Sequence, residues 1–229
     1  MPNYNAIALA RSPHVGKLIE VNPLDAIRRH KVIAVIRADN AEAALQFAEG
    51  CITGGLRLIE VTFSFPGAEE VMSKLSEREG MLTGAGTVLD PDMARKAKEA
   101  GARFLVSPHT DRELVSFARK NNMAVIQGAF TSSEIVRAWK LGVDMVKIFP
   151  VSSVGGPSYV RAMKEPLPDI EIMTTGGVGI DNYLDFFDAG ASAVGVSSAL
   201  LGEDKKIDPD VIAKNARKFV AGLAGTIKP

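Results

Sequence analysis

The stretch GVDMVKI, residues 142–148, joins a helix-ending glycine to a short apolar strand, and the same arrangement occurs four times in the chain. The other copies are GLRLIEV at 55–61, GARFLVS at 101–107 and GASAVGV at 190–196. Glycine often ends a helix because it adopts a left-handed backbone without steric cost. Each copy therefore predicts a helix followed by a strand, and such alternation is typical of a parallel sheet.

Eight short β-rich runs, separated by helical stretches, cover almost the whole chain. In order they are KVIAVIR (31–37), RLIEVTF (57–63), MLTGAGT (81–87), RFLVSP (103–108), AVIQGAF (124–130), MVKIFP (145–150), EIMTTG (171–176) and AVGVSSAL (193–200). Eight units without a linker-like break favour a closed (β/α)8 TIM barrel of the α/β class. An open doubly wound sheet is the alternative. We predict one barrel domain over residues 1–229, with residues 1–30 as an N-terminal helical extension across its lower end.

Three connecting helices have start signals of their own. Thr110 with Glu113, and Thr131 with Glu134, fit the capping-box pattern. Asp90 stands directly before a proline, the pattern of an N-cap followed by a first-turn proline. Each of these starts follows a predicted strand, as a βαβ arrangement requires.

The four copies also predict which side chains meet inside the barrel. Five positions after each glycine stand Glu60, Val106, Lys147 and Gly195, on strands two, four, six and eight. In this fold, one layer of four interior side chains comes from alternate strands. If the register is kept, Glu60 faces Lys147 and Gly195 leaves room beside them. A purely structural ion pair is the alternative, but stability alone is a weak reason to keep a buried pair.

Lys147 stands between apolar neighbours, where an unpaired ammonium is costly. Burial favours the neutral amine, which can attack a carbonyl carbon and form a Schiff base, whereas a nearby carboxylate favours the charged form. Glu60 can move protons to and from the reacting atoms. Other polar residues gather at the strand C-termini, where barrel active sites lie. They are Arg37, Thr62, Thr87, Ser107 and Thr175.

Two glycine- and serine-rich runs predict a phosphate site. TTGGV (174–178) and GVSSAL (195–200) end strands seven and eight, after which loops of this fold frequently bind phosphate through backbone N–H groups. Gly176 and Gly177 allow close approach of the backbone, and Ser197 and Ser198 add hydroxyl donors. Ordinary turn chemistry is the alternative for either run.

Two further strand ends are candidates for binding a carboxylate. Arg37, after strand one, can make a bidentate contact, or a surface ion pair instead. Thr87, in GAGTV (84–88), can hold an anion together with backbone amides, or serve only the turn. The GAGT run does not fit the GxGxxG pattern, so we predict no dinucleotide cofactor.

Composition and charge exclude several functional classes. Lys plus Arg equals Asp plus Glu, 27 each, which leaves no electrostatic footprint for nucleic acid or an anionic membrane. The single cysteine, Cys51, excludes an internal disulfide and falls in an apolar helical stripe, so we predict a buried thiol in a reducing compartment. No apolar run approaches the ~20 residues of a membrane span, and no signal-peptide pattern is present. We expect a cytoplasmic protein.

Metal chemistry has little support in the sequence. Of three histidines, only His109 lies near the predicted active face. One histidine with scattered carboxylates is not the spacing of a metal site, and we predict that His109 is a loop residue. We predict neither a metal nor another cofactor.

The motifs LIEVTF, GAGTV, FLVSPH, VKIFP, TTGGV and GVSSAL occur in this order at the strand ends. With them, the chain resembles the KDPG/KHG aldolases, class I enzymes that act on 2-keto-3-deoxy-6-phosphogluconate (KDPG) and 4-hydroxy-2-oxoglutarate (KHG). The resemblance runs from Lys31 to the last helix. It implies a (β/α)8 barrel, a homotrimer, no metal, and a small 2-keto acid substrate that is phosphorylated.

The resemblance also implies residue roles. Lys147 is expected to be the Schiff-base lysine, Glu60 the general acid/base, and Thr87 a ligand of the pyruvyl carboxylate. The residues expected to line the pocket and bind the distal hydroxyls and phosphate are Pro108, Phe149, Thr175, Gly176, Gly177 and Ser198.

Three positions depart from the family pattern. Many members have arginine four residues after the glutamate, where this chain has Ser64, and Arg37 is our candidate replacement. Thr174 stands where proline is frequent, and Ser197 where glycine is frequent. The Ser197 side chain either crowds a phosphate or donates to it.

From these residues we expect an aldolase that cleaves KDPG to pyruvate and glyceraldehyde 3-phosphate. Within the class, KHG and the galactonate analogue of KDPG are the alternative substrates, and Thr175 favours the gluconate form. A phosphate-binding isomerase or epimerase with no covalent intermediate, and a non-catalytic sugar-phosphate sensor, are the other hypotheses.

Overall fold

The computed structural model describes residues 22–224, which form a closed barrel of eight parallel strands. The strands are β1 (Val32–Ile36), β2 (Leu58–Thr62), β3 (Leu82–Gly86), β4 (Phe104–Val106), β5 (Ala124–Ala129), β6 (Met145–Ile148), β7 (Ile172–Thr175) and β8 (Ala193–Val196). Each pairs with the next, and Ile33 of β1 pairs with Gly195 of β8, which closes the barrel. The predicted (β/α)8 barrel is confirmed, and the open sheet is wrong.

Helices precede β1, connect the strands and follow β8. They are α1 (Pro23–His30), α2 (Ala41–Thr53), α3 (Ala68–Ser76), α4 (Pro91–Glu99), α5 (Arg112–Lys120), α6 (Ser132–Lys140), α7 (Pro157–Lys164), α8 (Tyr183–Asp188) and α9 (Pro209–Ala224). Short 3-10 turns, Val151–Val154 and Ser198–Leu200, follow β6 and β8. None of the helices in the described part of the chain has the length and hydrophobicity that a membrane span needs.

Two of the predicted helix starts are confirmed. At α6, the Thr131 hydroxyl accepts the Glu134 N–H at 3.4 Å, and the Glu134 carboxylate accepts the Thr131 N–H at 2.8 Å. At α4, the Asp90 carboxylate accepts the Met93 N–H at 2.8 Å. Both starts could be predicted from the sequence because a cap involves residues only three positions apart.

The predicted capping box of Thr110 and Glu113 is wrong. Asp111 caps α5 instead, and its carboxylate accepts the N–H of Glu113 at 2.6 Å. The Thr110 hydroxyl donates to the carbonyl of Gly128 at 3.0 Å. Thr110 therefore ties the loop to β5, a tertiary contact that local spacing does not reveal.

Successive side chains along each strand alternate between two apolar cores. Ile33 and Leu58 face the barrel axis, whereas their neighbours Ala34 and Ile59 pack against the surrounding helices. The period of two along a strand produces this separation. Polar side chains on the inner face are therefore directed to the barrel interior.

The helix α1 closes the lower end of the barrel. Ala26 and Ile27 are fully buried and join the interior core. The Arg28 guanidinium donates to the Glu171 carboxylate, with Nε 3.1 Å from Oε1, and so ties α1 to the start of β7. The remainder of the predicted extension, residues 1–21, lies outside the described residues. A single domain over the whole chain stays a prediction.

Candidate active site

Lys147 on β6 and Glu60 on β2 meet inside the barrel, as the repeat predicts. The Lys147 Nζ lies 3.8 Å from Glu60 Oε1, and the side chains are 4% and 1% exposed. The space beside Gly195 is taken by another polar group, because a Cβ there would lie 2.2 Å from Thr175 Oγ1. Gly195 thus makes room for Thr175.

The carboxylate of Glu60 has unused hydrogen-bonding capacity. Its separation from Lys147 exceeds hydrogen-bond length, and Oε2 has no partner among the residues that the structure describes. A buried carboxylate oxygen without a partner is costly, so an occupant that donates to it is favoured. The Lys147 Nζ also lies 5.3 Å from the centre of the Phe149 ring. An amine, a proton acceptor and an apolar wall are therefore adjacent.

Pro108 and Phe149 line a cavity of about 240 Å³ at the ends of β4, β5 and β6. Phe149 is partly buried and Pro108 is exposed. The loop after β4 packs directly against Gly128 of β5. A Cβ at Gly128 would lie 2.0 Å from the Pro108 carbonyl oxygen, so this packing requires glycine. Phe149 contributes to this cavity and also lies beside Lys147.

Thr87, at the end of β3, has an unusual backbone conformation. Its φ is +57°, which is uncommon for a β-branched residue and costs about 1–3 kcal/mol. The flanks are fixed, because the Gly86 carbonyl accepts the Phe63 N–H at 2.9 Å and the Val88 N–H donates to Val106 at 3.1 Å. Thr87 itself is partly buried, and strain of this kind is frequent in binding sites.

Arg37 and Ser64 occupy neighbouring strand ends. Arg37 is exposed after β1 and makes no ion pair with another residue of 22–224. The Thr62 hydroxyl donates to Ile36 at 2.9 Å, so the Ser64 hydroxyl, 2.6 Å away, is the donor to Thr62. Since β1 pairs with β2, Arg37 lies at the C-terminal end of the strand next to the one that contains Glu60.

The loop after β7 presents free amides. Gly176 and Gly177 have φ of +84° and +94°, a region that favours glycine. Their carbonyls accept hydrogen bonds from Ser152 N and Asn182 Nδ2, both at 3.0 Å. The N–H groups of Gly176, Gly177 and Val178 have no partner within the described part of the chain. Three donors are thus left for a ligand.

The structure adds a second physical reason for these two glycines, beside the predicted approach of the backbone to a phosphate. A Cβ on Gly177 would lie 2.5 Å from the Ser152 Cβ, and one on Gly176 would lie 2.9 Å from the Pro150 Cβ. The absent side chains therefore allow the β7 loop to pack against the turn after β6. This packing places the free amides.

The loop after β8 continues the same surface. Thr175 pairs with Gly195, which makes the two loops neighbours. The N–H groups of Ser197 and Ser198, before and at the start of the second 3-10 turn, also have no partner among residues 22–224. The Ser198 side chain is exposed and Ser197 is partly buried. Five amides with two hydroxyls suit an anion.

His109 has a local partner. Its Nδ1 lies 2.9 Å from the Ser107 hydroxyl, which fits the predicted loop role. Among the described residues, no group of three His, Cys, Asp or Glu side chains could hold a metal ion.

Gly86 was missed as a site residue. A Cβ on Gly86 would lie 2.1 Å from Glu60 Oε1. Glycine inside a strand indicates close approach of another group, and this signal could have identified it.

Comparisons with known proteins agree on one family. A family model described as "Aldolase: KDPG and KHG aldolase" matches residues 24–215. A 2-dehydro-3-deoxy-phosphogluconate aldolase of Treponema pallidum is 34% identical over 71% of this chain and 78% of its own length. A 2-dehydro-3-deoxy-6-phosphogalactonate aldolase of Escherichia coli is 31% identical over 82% and 92%.

A solved structure resembles the barrel closely. The KDPG aldolase of Legionella pneumophila, with pyruvate captured at low pH as a covalent carbinolamine intermediate, superposes with a TM-score of 0.76. It is 29% identical and covers 86% of this chain and 97% of its own. The similarity therefore extends over nearly the whole described barrel.

Proposed function

The chain belongs to the KDPG and KHG aldolase family and is a lyase, and we propose that it cleaves KDPG to pyruvate and glyceraldehyde 3-phosphate through a Schiff base on Lys147. The observation that carries this proposal is the Glu60 carboxylate 3.8 Å from Lys147, with one oxygen unpartnered within residues 22–224. A nucleophilic amine needs a proton relay beside it, and catalytic hydrogen bonds are often long until the substrate is bound.

The proposed reaction has three stages. The neutral Lys147 amine attacks the C2 ketone, and Glu60 delivers the proton with which the C2 oxygen leaves as water. Glu60 then accepts the C4 hydroxyl proton while the C3–C4 bond breaks and its electrons enter the iminium, which releases the aldehyde. The enamine takes a proton at C3 from Glu60, and water hydrolyses the iminium to pyruvate and the neutral Lys147 amine. The proton released by hydrolysis returns to the Glu60 carboxylate, which is then protonated again for the first stage.

The other site residues have positioning roles in this proposal. Thr87 and Arg37 bind the pyruvyl carboxylate, and Phe149 and Pro108 form the apolar wall. Thr175 contacts a distal hydroxyl. The phosphate is bound by the free amides and hydroxyls of Gly176, Gly177, Ser197 and Ser198.

The galactonate analogue of KDPG is the second candidate substrate. A phosphogalactonate aldolase is among the relatives, and the two substrates differ only in the configuration at one hydroxyl-bearing carbon. The family resemblance associates Thr175 with the gluconate form.

We also propose that the protein is a homotrimer in the cytoplasm. Sedimentation tests the assembly, and cell fractionation tests the location.

Borohydride trapping with pyruvate tests the mechanism. We expect a reduced pyruvyl adduct that peptide mass mapping assigns to Lys147, with or without a chelator. Lys147→Ala should abolish the adduct and the cleavage, whereas Lys74→Ala, at a surface ion pair, should leave both unchanged. A folded native protein without an adduct would contradict the Schiff-base mechanism on Lys147. Cleavage rates with KDPG, its galactonate analogue and KHG then identify the substrate.

A further inference from the structure

Gly86, on β3, stands where the carboxylate of Glu60 needs space. A Cβ on Gly86 would lie 2.1 Å from Oε1, 2.7 Å from Cγ and 2.8 Å from Cδ of Glu60. These distances are shorter than non-bonded carbon atoms tolerate. Glu60 pairs with Gly84, and Gly86 is two residues further along the same face of β3. The Glu60 side chain therefore leans over Gly86, towards the C-terminal end of the barrel.

Backbone conformation does not explain this glycine. Gly176 and Gly177 adopt positive φ angles, but Gly86 does not. Any residue can adopt its extended conformation, and glycine weakens a strand interior. The space above its Cα is what requires glycine at this position.

Packing, not hydrogen bonding, holds the Glu60 carboxylate. Within residues 22–224, Oε2 has no hydrogen-bond partner, and Oε1 lies 3.8 Å from Lys147 Nζ. Because no hydrogen bond fixes the group, its position depends on the attraction of Lys147 and on the walls around it. Gly86 forms one of these walls.

We propose that Gly86 is a positioning residue for proton transfer: its missing side chain keeps the Glu60 carboxylate within reach of Lys147 and of the substrate carbon bound to it. This inference rests on the proposed function, in which Glu60 is the proton relay. Alanine at position 86 displaces the carboxylate, and a misplacement of about 1 Å can cost about 10²-fold in rate.

Hydrogen exchange at the pyruvate methyl group tests the proposal directly. In D2O, removal of a C3 proton from the pyruvyl iminium gives the enamine, which then takes a deuteron at C3. Proton NMR follows the loss of the methyl signal without an aldehyde substrate. We expect Gly86→Ala to slow this exchange about 10²-fold per folded molecule, while the borohydride adduct on Lys147 still forms.

Gly84→Ala is the matched control on the same strand and face. A Cβ at Gly84 would lie 2.3 Å from the Phe104 ring, so this variant is also overpacked, but against another side chain. We expect its exchange rate per folded molecule to stay within a few-fold of the native rate. Native-like exchange in Gly86→Ala, or equal slowing in both variants, would overturn the proposal. Native protein with neither exchange nor adduct would contradict the proposed function instead.

A stability measurement covers the case in which Gly86→Ala does not fold. In a Glu60→Ala background the three atoms nearest to the new Cβ are absent. Gly86→Ala should then leave the urea midpoint unchanged relative to Glu60→Ala, although it lowers the midpoint of the native chain. An equal decrease in both backgrounds would show that Glu60 is not the obstacle, and would refute the positioning role.

Discussion

The Nζ of Lys147 and the Oε1 of Glu60 lie 3.8 Å apart in the barrel interior, from strands on opposite sides of the closed sheet. Both side chains are almost completely shielded from water, yet no hydrogen bond joins them. Buried ion pairs without a hydrogen bond between the partners add little to the free energy of unfolding, because the cost of desolvating both charges offsets their attraction. A catalytic role therefore explains the presence of this pair better than a contribution to stability does.

Apolar replacement of the pair should reveal this distinction. Lys147→Met alone leaves a buried carboxylate without a counter-charge, and we expect a loss of about 3 kcal/mol in the free energy of unfolding. The double variant Lys147→Met/Glu60→Leu should be as stable as the native chain or more so, although inactive. Urea denaturation measures both. A double variant clearly less stable than the native chain would show that the pair is structural.

The proposed contact of Arg37 with the substrate carboxylate can be tested by moving the arginine to position 64. Losing a charge-assisted hydrogen bond of about 1.5–3 kcal/mol predicts that Arg37→Ala raises the pyruvate concentration for half-maximal adduct formation about 10- to 100-fold. Adding Ser64→Arg, which restores the arginine frequent in the family, should recover most of this loss. Arg78→Ala, at a surface pair with Glu49, is the control. Unchanged binding in Arg37→Ala would assign Arg37 to the surface.

The proposed phosphate contact of Ser198 predicts an effect confined to phosphorylated substrates. Ser198→Ala removes a hydroxyl donor, and we expect the KM for KDPG to rise about tenfold. The exchange of pyruvate methyl protons should not change, because pyruvate carries no phosphate for Ser198 to bind. Inorganic phosphate should also inhibit the variant less. An equal loss for KDPG and pyruvate would argue against a phosphate contact.

His30 predicts a decrease in stability on mild acidification. Burial, together with the charges of Arg29 and Arg57, lowers the pKa of His30 below its ordinary value of about 6.5. The unfolded chain therefore binds more protons than the folded chain below about pH 6.5. The free energy of unfolding decreases as the pH is lowered in that range. His30→Gln should show a flatter dependence between about pH 7 and 5.5 in urea titrations.

The acidic residue Glu134 does not obscure this test. Its carboxylate accepts hydrogen bonds from the backbone N–H groups of Phe130 and Thr131, which lowers the pKa of Glu134 below about 4.5, so its contribution is lost at more acidic pH. An identical slope in His30→Gln and native protein would exclude His30 as the source.

Cys51 should be unreactive in the folded protein. The thiol is fully buried on α2, and burial raises the pKa of Cys51 well above its usual range. The thiolate is the reactive form, so we expect no labelling by iodoacetamide at pH 8 and one label per chain in urea. Mass spectrometry measures both. Rapid labelling of the native protein would show that α2 opens locally.

Local sequence determined most of the architecture. Helix-ending glycines and alternating runs predicted the eight strands, since strand and helix periods are local properties of the chain. The common offset of Glu60 and Lys147 from these glycines also predicted that the two side chains meet, because each glycine sets the position at which a strand begins. The caps at Asp90 and Thr131 were readable for the same local reason.

Contacts between distant segments decided the rest. Asp111, and not Thr110, caps α5, because β5 offers Thr110 a carbonyl at 3.0 Å. Gly177 makes room for Ser152, and Gly86 makes room for the Glu60 carboxylate. Each of these depends on how closely two strands or loops approach after the barrel closes. That distance is absent from any one stretch of sequence, so only the tertiary structure shows which group each of these glycines makes room for.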